Sequence, residues 1–284
     1  MEYNYDNYYD RQRGEPIRLW KEGETPLFDE AIGQREPMLH SYLLKDKPNA
    51  GVVIVCAGGG YTHRAYHEGE PVAEKLNELG LHTLVLSYRV APYKHPAMLH
   101  DAQRAIRTVK FFGKSWGVNA EKVAVLGFSA GGHLSAMAAT LFDNGDESAV
   151  DLVERMSSRP DAAVICYGVT SMVTRPHRGS LAALLGEAPN AKLLASLSPE
   201  LNVTDETPPC FLWHTAQDMT VDPLNSLDMA QALIKRGITC ALHVYPYGSH
   251  GIGLGAAREG MYPENNQAVH WPDEAARFLK EEGF

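Results

Sequence analysis

The stretch Val123-Ala124-Val125-Leu126-Gly127-Phe128-Ser129-Ala130-Gly131-Gly132-His133-Leu134-Ser135-Ala136 constrains this chain more than any other. Its first half is apolar and β-branched and reads as a buried strand. Its second half, rich in Ala and Leu, reads as a helix. Between them lies Gly127-x-Ser129-x-Gly131, the pattern of a nucleophile elbow when it follows a strand and opens a helix. A serine in that turn is held in a strained conformation with its hydroxyl above the sheet, and the flanking glycines allow the tight turn and a substrate's approach. The competing reading is a serine that merely caps a helix. The strand before it and the helix after it favour the nucleophile.

The rest of the chain supplies the sheet that such a turn needs. Met38 to Leu44 resembles a first strand, and Gly51 to Ala57 is a near-continuous apolar run of the kind buried on both faces. A helix is expected from Pro71 to Gly80, a strand over His82–Ser87 and a helix over Met98–Ser115, with Ala102, Ala105, Ile106, Val109 and Phe112 on its apolar face. After the elbow come strands at Ala162–Tyr167, Phe211–Thr215 and Cys240–Tyr245, and helices at Ser226–Arg236 and Asp273–Glu281. Gly168 to Pro209 reads as irregular, with one helix near Leu181 to Leu185. Alternating strands and helices predict an α/β fold with a mostly parallel sheet covered on both faces, and ligands in such folds bind beyond the carboxyl ends of the strands.

Chemistry is therefore expected where strands end. Gly58-Gly59-Gly60 follows the strand ending at Ala57. Backbone N–H groups in a glycine turn can face a developing oxyanion with no side chain in the way. Gly59 and Gly60 are the favoured donors, joined by the N–H of Ala130, with Gly58 setting the turn. No Gly-Lys-Ser/Thr or G-x-G-x-x-G pattern follows, so a phosphate-binding loop is disfavoured. Asp218 comes first after the strand ending at Thr215 and is the preferred orienting acid. Asp222 is the alternative, but it directly precedes Pro223 and reads as the start of the next helix. His250 lies in the glycine-rich loop Tyr247-Gly248-Ser249-His250-Gly251 after the last strand, where a group titrating near neutrality can act as general base. Ser129, Asp218 and His250 thus occur in the order Ser…Asp…His.

On these residues the chain resembles the α/β-hydrolase superfamily, and within it the small bacterial carboxylesterases and carbohydrate acetyl esterases of the acetylxylan-esterase-like kind. The resemblance rests on Cys-Ala-Gly-Gly-Gly-Tyr at 56–61, Ser-Tyr-Arg-Val-Ala-Pro at 87–92, His-Pro-Ala at 95–97 with Asp101-Ala102-Gln103-Arg104-Ala105, Gly-Phe-Ser-Ala-Gly-Gly-His-Leu at 127–134, Trp-His-Thr-Ala at 213–216 and Gly-Ser-His-Gly at 248–251. It covers the chain from about Leu39 onward. It implies an α/β-hydrolase domain over residues 38–284 behind a partly irregular extension at 1–37, with no large lid. It also implies a Ser129–His250–Asp218 triad acting on short-acyl esters, acetyl above all, without metal or organic cofactor. Ala57 stands where the hormone-sensitive-lipase-like branch carries a histidine before its glycines, which argues against that branch and leaves the backbone donors intact.

Two other readings compete. A prolyl-oligopeptidase-like serine peptidase shares the triad order, but such enzymes carry a large additional N-terminal domain. A non-catalytic binding protein on the same fold need not keep all three reactive groups. Tyr61, His63, Tyr167, Trp213 and Met219 are candidate substrate-binding residues, with core packing as the competing role of each. His63 and His67 are four apart, yet no third ligand accompanies them, so no metal is expected there. His133 is expected to support the elbow, and Asp101, Arg89 and Arg104 to form a structural ion-pair group.

A formal charge of −9 argues against nucleic acid or an anionic membrane surface as partner. Cys56, Cys166, Cys210 and Cys240 lie in or beside apolar runs without any C-x-x-C pair, as buried free thiols do in a reducing compartment. Met1-Glu2-Tyr3-Asn4-Tyr5-Asp6 has neither basic nor apolar signal regions. A cytoplasmic protein acting on a small ester, such as an acetylated oligosaccharide, is the expectation. Packing of the tyrosine-rich start against another subunit leaves a homo-oligomer open.

Overall fold

Five strands of this protein are buried almost completely, and their side chains alternate between two cores. In β3 (Val52–Cys56), Val52, Ile54 and Cys56 join one apolar cluster while Val53 and Val55 join the other. This period of two is what a strand covered on both faces requires. The computed structural model describes residues 14–255 and 266–284. The tyrosine-rich start to Asp10 lies outside them.

The remaining strands are β1 (Glu15–Arg18), β2 (Met38–Tyr42), β4 (His82–Ser87), β5 (Val123–Phe128), β6 (Ala162–Cys166), β7 (Cys210–Thr215) and β8 (Cys240–Tyr245). They form one sheet in the order β1-β2-β4-β3-β5-β6-β7-β8. From β4 through β8 the pairing is parallel, and β1 and β2 add an antiparallel edge. The α/β architecture with a mostly parallel sheet is as expected. The strand at Glu15–Arg18 is an addition to the sequence reading. It is short, largely exposed and carries a single aliphatic side chain, Ile17, so it has no alternation to recognise.

Helices α1 (Glu70–Glu78) and α7 (Trp271–Glu281) cover one face, where Val72, Leu76, Trp271 and Leu279 pack on Val55, Phe128 and Trp213. Helices α2 (Ala97–Trp116), α3 (Ala130–Thr140) and α6 (Leu224–Lys235) cover the other, where Met98, Leu134 and Met229 belong to the core. Between β6 and β7 lie α4 (Arg178–Leu185) and the short α5 (Ala191–Ser196), where the sequence predicted one helix. Among the described residues no helix is long and apolar enough to cross a membrane.

Of the expected ion-pair group, Arg89 and Asp101 meet, with Arg89 Nη2 2.6 Å from Asp101 Oδ1 and both side chains fully buried. Arg104 does not join them. It pairs instead with Asp151 at 2.7 Å and Glu154 at 2.6 Å. Arg89 also donates to the carbonyls of Pro26 and Ala97, so this pair ties the N-terminal segment to α2. Asp101→Ala would strand a buried guanidinium and is expected to cost about 3–5 kcal/mol, read as a lowered denaturation midpoint. An unchanged midpoint would show that water reaches the site.

Candidate active site

β5 lies between β3 and β6, and its carboxyl end carries Ser129 at φ 52° and ψ −116°. A non-glycine residue rarely adopts positive φ, and here the surroundings enforce it. Ser129 N–H donates to the Cys166 carbonyl at 3.0 Å, and the Ser129 carbonyl accepts from His133 N–H at 3.0 Å. The flanking glycines are required by proximity. A Cβ on Gly127 would lie 2.0 Å from the Gly131 carbonyl oxygen, and one on Gly131 would lie 2.1 Å from that of Cys56. Any side chain at either position would push α3 away from the strand ends. All of α3 is buried, and its small residues let it sit close over the sheet.

The loops after β7 and β8 bring two further groups to this serine. His250 Nε2 lies 2.7 Å from Ser129 Oγ, and His250 Nδ1 lies 2.6 Å from Asp218 Oδ2. A carboxylate accepts from Nδ1–H, which leaves Nε2 able to take the hydroxyl proton. Asp218 Oδ1 accepts from Thr220 N–H and Val221 N–H, each at 2.9 Å. Burial alone would raise the Asp218 pKa. Hydrogen bonds from His214, His250 and the Val221 N–H, with the charge of His250, outweigh it and hold the carboxyl well below the usual range. Asp222, the alternative acid, instead caps α6 through Leu224 N–H at 2.9 Å and lies 3.6 Å from Arg175.

The loop after β3 faces the same point. Gly58 N–H is already bonded to Glu68 Oε2 at 2.8 Å, so it is not a free donor. The N–H groups of Gly59, Gly60 and Ala130 have no hydrogen-bond partner among the described residues. Gly59 and Gly60 adopt φ of 127° and 63°, a conformation natural to glycine.

The expected pocket residues separate. Tyr61 is fully buried, as in the competing core-packing role; its hydroxyl donates to His133 Nδ1 at 2.7 Å, while His133 Nε2–H donates to the Leu197 carbonyl at 2.8 Å. Burial lowers the His133 pKa to about 4, so it is a neutral strut. Trp213 is likewise fully buried, stacked on Trp271 with centroids 5.4 Å apart. Tyr167, also buried, sits edge-on beneath His250 at 5.1 Å. His63 is exposed, with Nδ1 3.1 Å from Thr62 Oγ1, and partial desolvation of its ring lowers its pKa. Met219 is exposed and lines a pocket of about 580 Å³ with Thr174, Arg175, His177 and Asp218. His67 Nε2 contacts the Gly251 carbonyl at 2.9 Å. Among the described residues no three His, Cys, Asp or Glu side chains converge as a metal site would.

Two residues escaped the sequence reading. His214 is fully buried; its Nε2–H reaches the Val221 carbonyl at 3.0 Å and Asp218 Oδ2 at 3.2 Å, and its Nδ1 lies 2.8 Å from Ser226 Oγ. It is a second donor to the carboxylate. Its signal was its place within the strand four residues before Asp218. Glu68, buried behind the glycine loop, had no such signal.

The sheet order and the elbow define an α/β-hydrolase. The BD-FAE family model matches residues 41–233, and the chain belongs to that family. It is 34% identical over 240 residues to endo-1,4-beta-xylanase B of Butyrivibrio fibrisolvens, a match covering 82% of this chain and 37% of that protein. It is 29% identical over 218 residues to an acetylxylan esterase of Xylanibacter ruminicola, covering 75% of this chain and 43% of that one. The chain thus spans less than half the length of these two relatives. Its fold superposes on the crystal structure of an acetyl ester-xyloside bifunctional hydrolase from Caldicellulosiruptor lactoaceticus with a TM-score of 0.91 and 45% identity, covering 96% of this chain and 97% of that one.

Proposed function

We propose that this chain is a serine carboxylesterase that removes short acyl groups, acetyl above all, from carbohydrate esters. The observation that carries this reading is the unbroken relay from Ser129 Oγ through His250 to Asp218, with links of 2.7 and 2.6 Å. The similarity to an acetylxylan esterase and to an acetyl ester hydrolase supports the substrate class.

In this mechanism His250 Nε2 takes the Ser129 proton as Oγ bonds to the ester carbonyl carbon. The amides of Gly59 or Gly60 and of Ala130 hold the resulting oxyanion. Collapse of the tetrahedral intermediate breaks the bond to the alcohol oxygen, which receives the proton from His250. Water, deprotonated by the same histidine, then attacks the acyl-enzyme and releases the acid and Ser129. Asp218 keeps the Nδ1–H tautomer throughout and steadies the imidazolium. Its depressed pKa means that it is ionised at neutral and mildly acidic pH.

The test is a panel of nitrophenyl acetate, butyrate and octanoate, acetylated xylo-oligosaccharides and a proline-linked amide. Acetate is expected to be the fastest nitrophenyl ester, with kcat/KM falling about tenfold or more by octanoate. Deacetylation of the oligosaccharides should be read as released acetate. Amide cleavage faster than ester cleavage would overturn the reading in favour of a peptidase.

A further inference from the structure

A carboxylate buried beside an oxyanion loop is an unfavourable place to put negative charge unless it does a task there. Glu68 is 2% exposed and lies in a short 3-10 turn, Tyr66–Glu68, just beyond the glycine loop. Its two oxygens serve different segments. Oε2 accepts from Gly58 N–H at 2.8 Å, and Oε1 accepts from Tyr167 O–H at 2.7 Å. The Tyr167 oxygen accepts in turn from Gly253 N–H at 2.9 Å, three residues beyond His250. Tyr167 is held at φ 36°, with its ring edge-on to the His250 imidazole. The neighbouring His67 donates to the Gly251 carbonyl, in the residue directly after the same histidine. Trp271 Nε1–H closes the set on the Gly253 carbonyl at 2.9 Å.

We infer that Glu68 is a positioning residue that locks the oxyanion loop to the loop of the catalytic histidine, through Gly58 on one side and Tyr167–Gly253 on the other. The inference rests on the esterase reading above. The two loops come from opposite parts of the chain: Gly58 follows β3, and Gly253 follows β8, the far edge strand. The sheet alone sets each loop by its own strand. Glu68 makes their relative placement a direct hydrogen-bonded distance, so that the amides of Gly59 and Gly60 stand correctly against His250 Nε2 when the tetrahedral oxygen forms. Its carboxylate shape suits the task. Its two separate acceptor oxygens face donors on two different segments at once, whereas the side-chain amide of Gln offers an acceptor at only one of those places and an NH₂ at the other.

Truncation should therefore impair the transition state rather than substrate capture. With nitrophenyl acetate, Glu68→Ala is expected to lower kcat about 10²-fold, the scale of a misplacement near 1 Å, with KM changed less than about threefold. Glu68→Gln keeps one acceptor and should recover about tenfold of that loss. Tyr167→Phe cuts only the Gly253 arm and should cost about tenfold. Because both act through one chain of bonds, the Glu68→Ala/Tyr167→Phe double variant should fall within about threefold of Glu68→Ala alone. If Glu68→Ala does not fold, the same cycle is run with Glu68→Gln. Losses that multiply in the double variant would overturn the proposal, as would an unchanged kcat, or a loss confined to KM. Ser129→Ala run alongside separates the two claims. If that variant stays active the Ser129 nucleophile and the mechanism built on it fail, whereas an inactive Ser129→Ala beside a fully active Glu68→Ala removes only the role of Glu68.

Discussion

Ser129→Ala is expected to lose nitrophenyl acetate hydrolysis by a factor of about 10⁴–10⁶ in kcat while remaining folded. The loss is that large because every covalent step runs through the Oγ atom. His250 and Asp218 have no other group to activate, so the remaining rate is that of amides polarising a carbonyl for attack by water. The variant should fold because, among the described residues, Oγ is bonded to His250 alone. The positive φ of the turn is imposed by the Ser129 backbone bonds to Cys166 and His133, which alanine keeps. Circular dichroism and the thermal midpoint should match the parent, and mass spectrometry should show no acylated protein. Hydrolysis undiminished in this variant would remove the nucleophile assignment and the mechanism with it.

Asp218→Asn should reduce kcat by about 10⁴-fold with little change in KM. The amide can still accept from Thr220 and Val221 through its oxygen, which turns its NH₂ group toward His250. An NH₂ facing Nδ1 favours the imidazole tautomer that carries its proton on Nε2, and that tautomer cannot accept the Ser129 proton. His214 keeps its bond to the Val221 carbonyl, so the loop should hold its shape and the stability loss should be small compared with the rate loss. Asp222→Asn is the control and should stay within about threefold of the parent, since it changes a helix cap and an exposed ion pair. The reverse pattern, with Asp222→Asn inactive and Asp218→Asn active, would exchange the roles of the two acids. The depressed Asp218 pKa has a further consequence of definite sign. A carboxyl whose pKa falls on folding stabilises the protein above its unfolded value and loses that contribution as pH drops through the folded one. Asp218 therefore supports the fold fully at neutral pH and yields only in strong acid.

What could be read from the residues followed the physics of each. The elbow was legible because close approach excludes side chains at Gly127 and Gly131, and that exclusion is written in the sequence as glycine. Strands β3 to β7 were legible because burial on both faces requires unbroken apolar runs. β1 escaped because an edge strand of four residues, paired on one side only, needs no pattern. Aromatic residues near strand ends were the weak point. Proximity to the site suggested that Tyr61 and Trp213 meet substrate, but orientation decides this. Trp213 shares its side of β7 with Phe211 and points into the core beneath α7, while His214 takes the other side. Glu68 and His214 were beyond reach for a different reason: a buried polar side chain is defined by its partners, and these come from residues 58, 167, 221 and 226. Arg104 shows the same limit, since its acids lie on a later loop rather than on α2.

The pocket beside Asp218 is walled on one side by Thr174 to Arg178, from the connection between β6 and β7. None of the proposed reacting groups comes from that connection: Ser129 follows β5, Asp218 follows β7, and His250 follows β8. The proposed reacting groups and this wall of the pocket are thus encoded in separable stretches of one gene, although the opposite wall, from Ala216 to Pro223, shares its loop with Asp218. Under the proposed esterase activity, exchanging residues 173–197 for the equivalent stretch of a relative is expected to change the ratio of kcat/KM between acetylated alcohols while Ser129, Asp218 and His250 keep their places. Selection can rework the one without renegotiating the other, and so can a protein engineer.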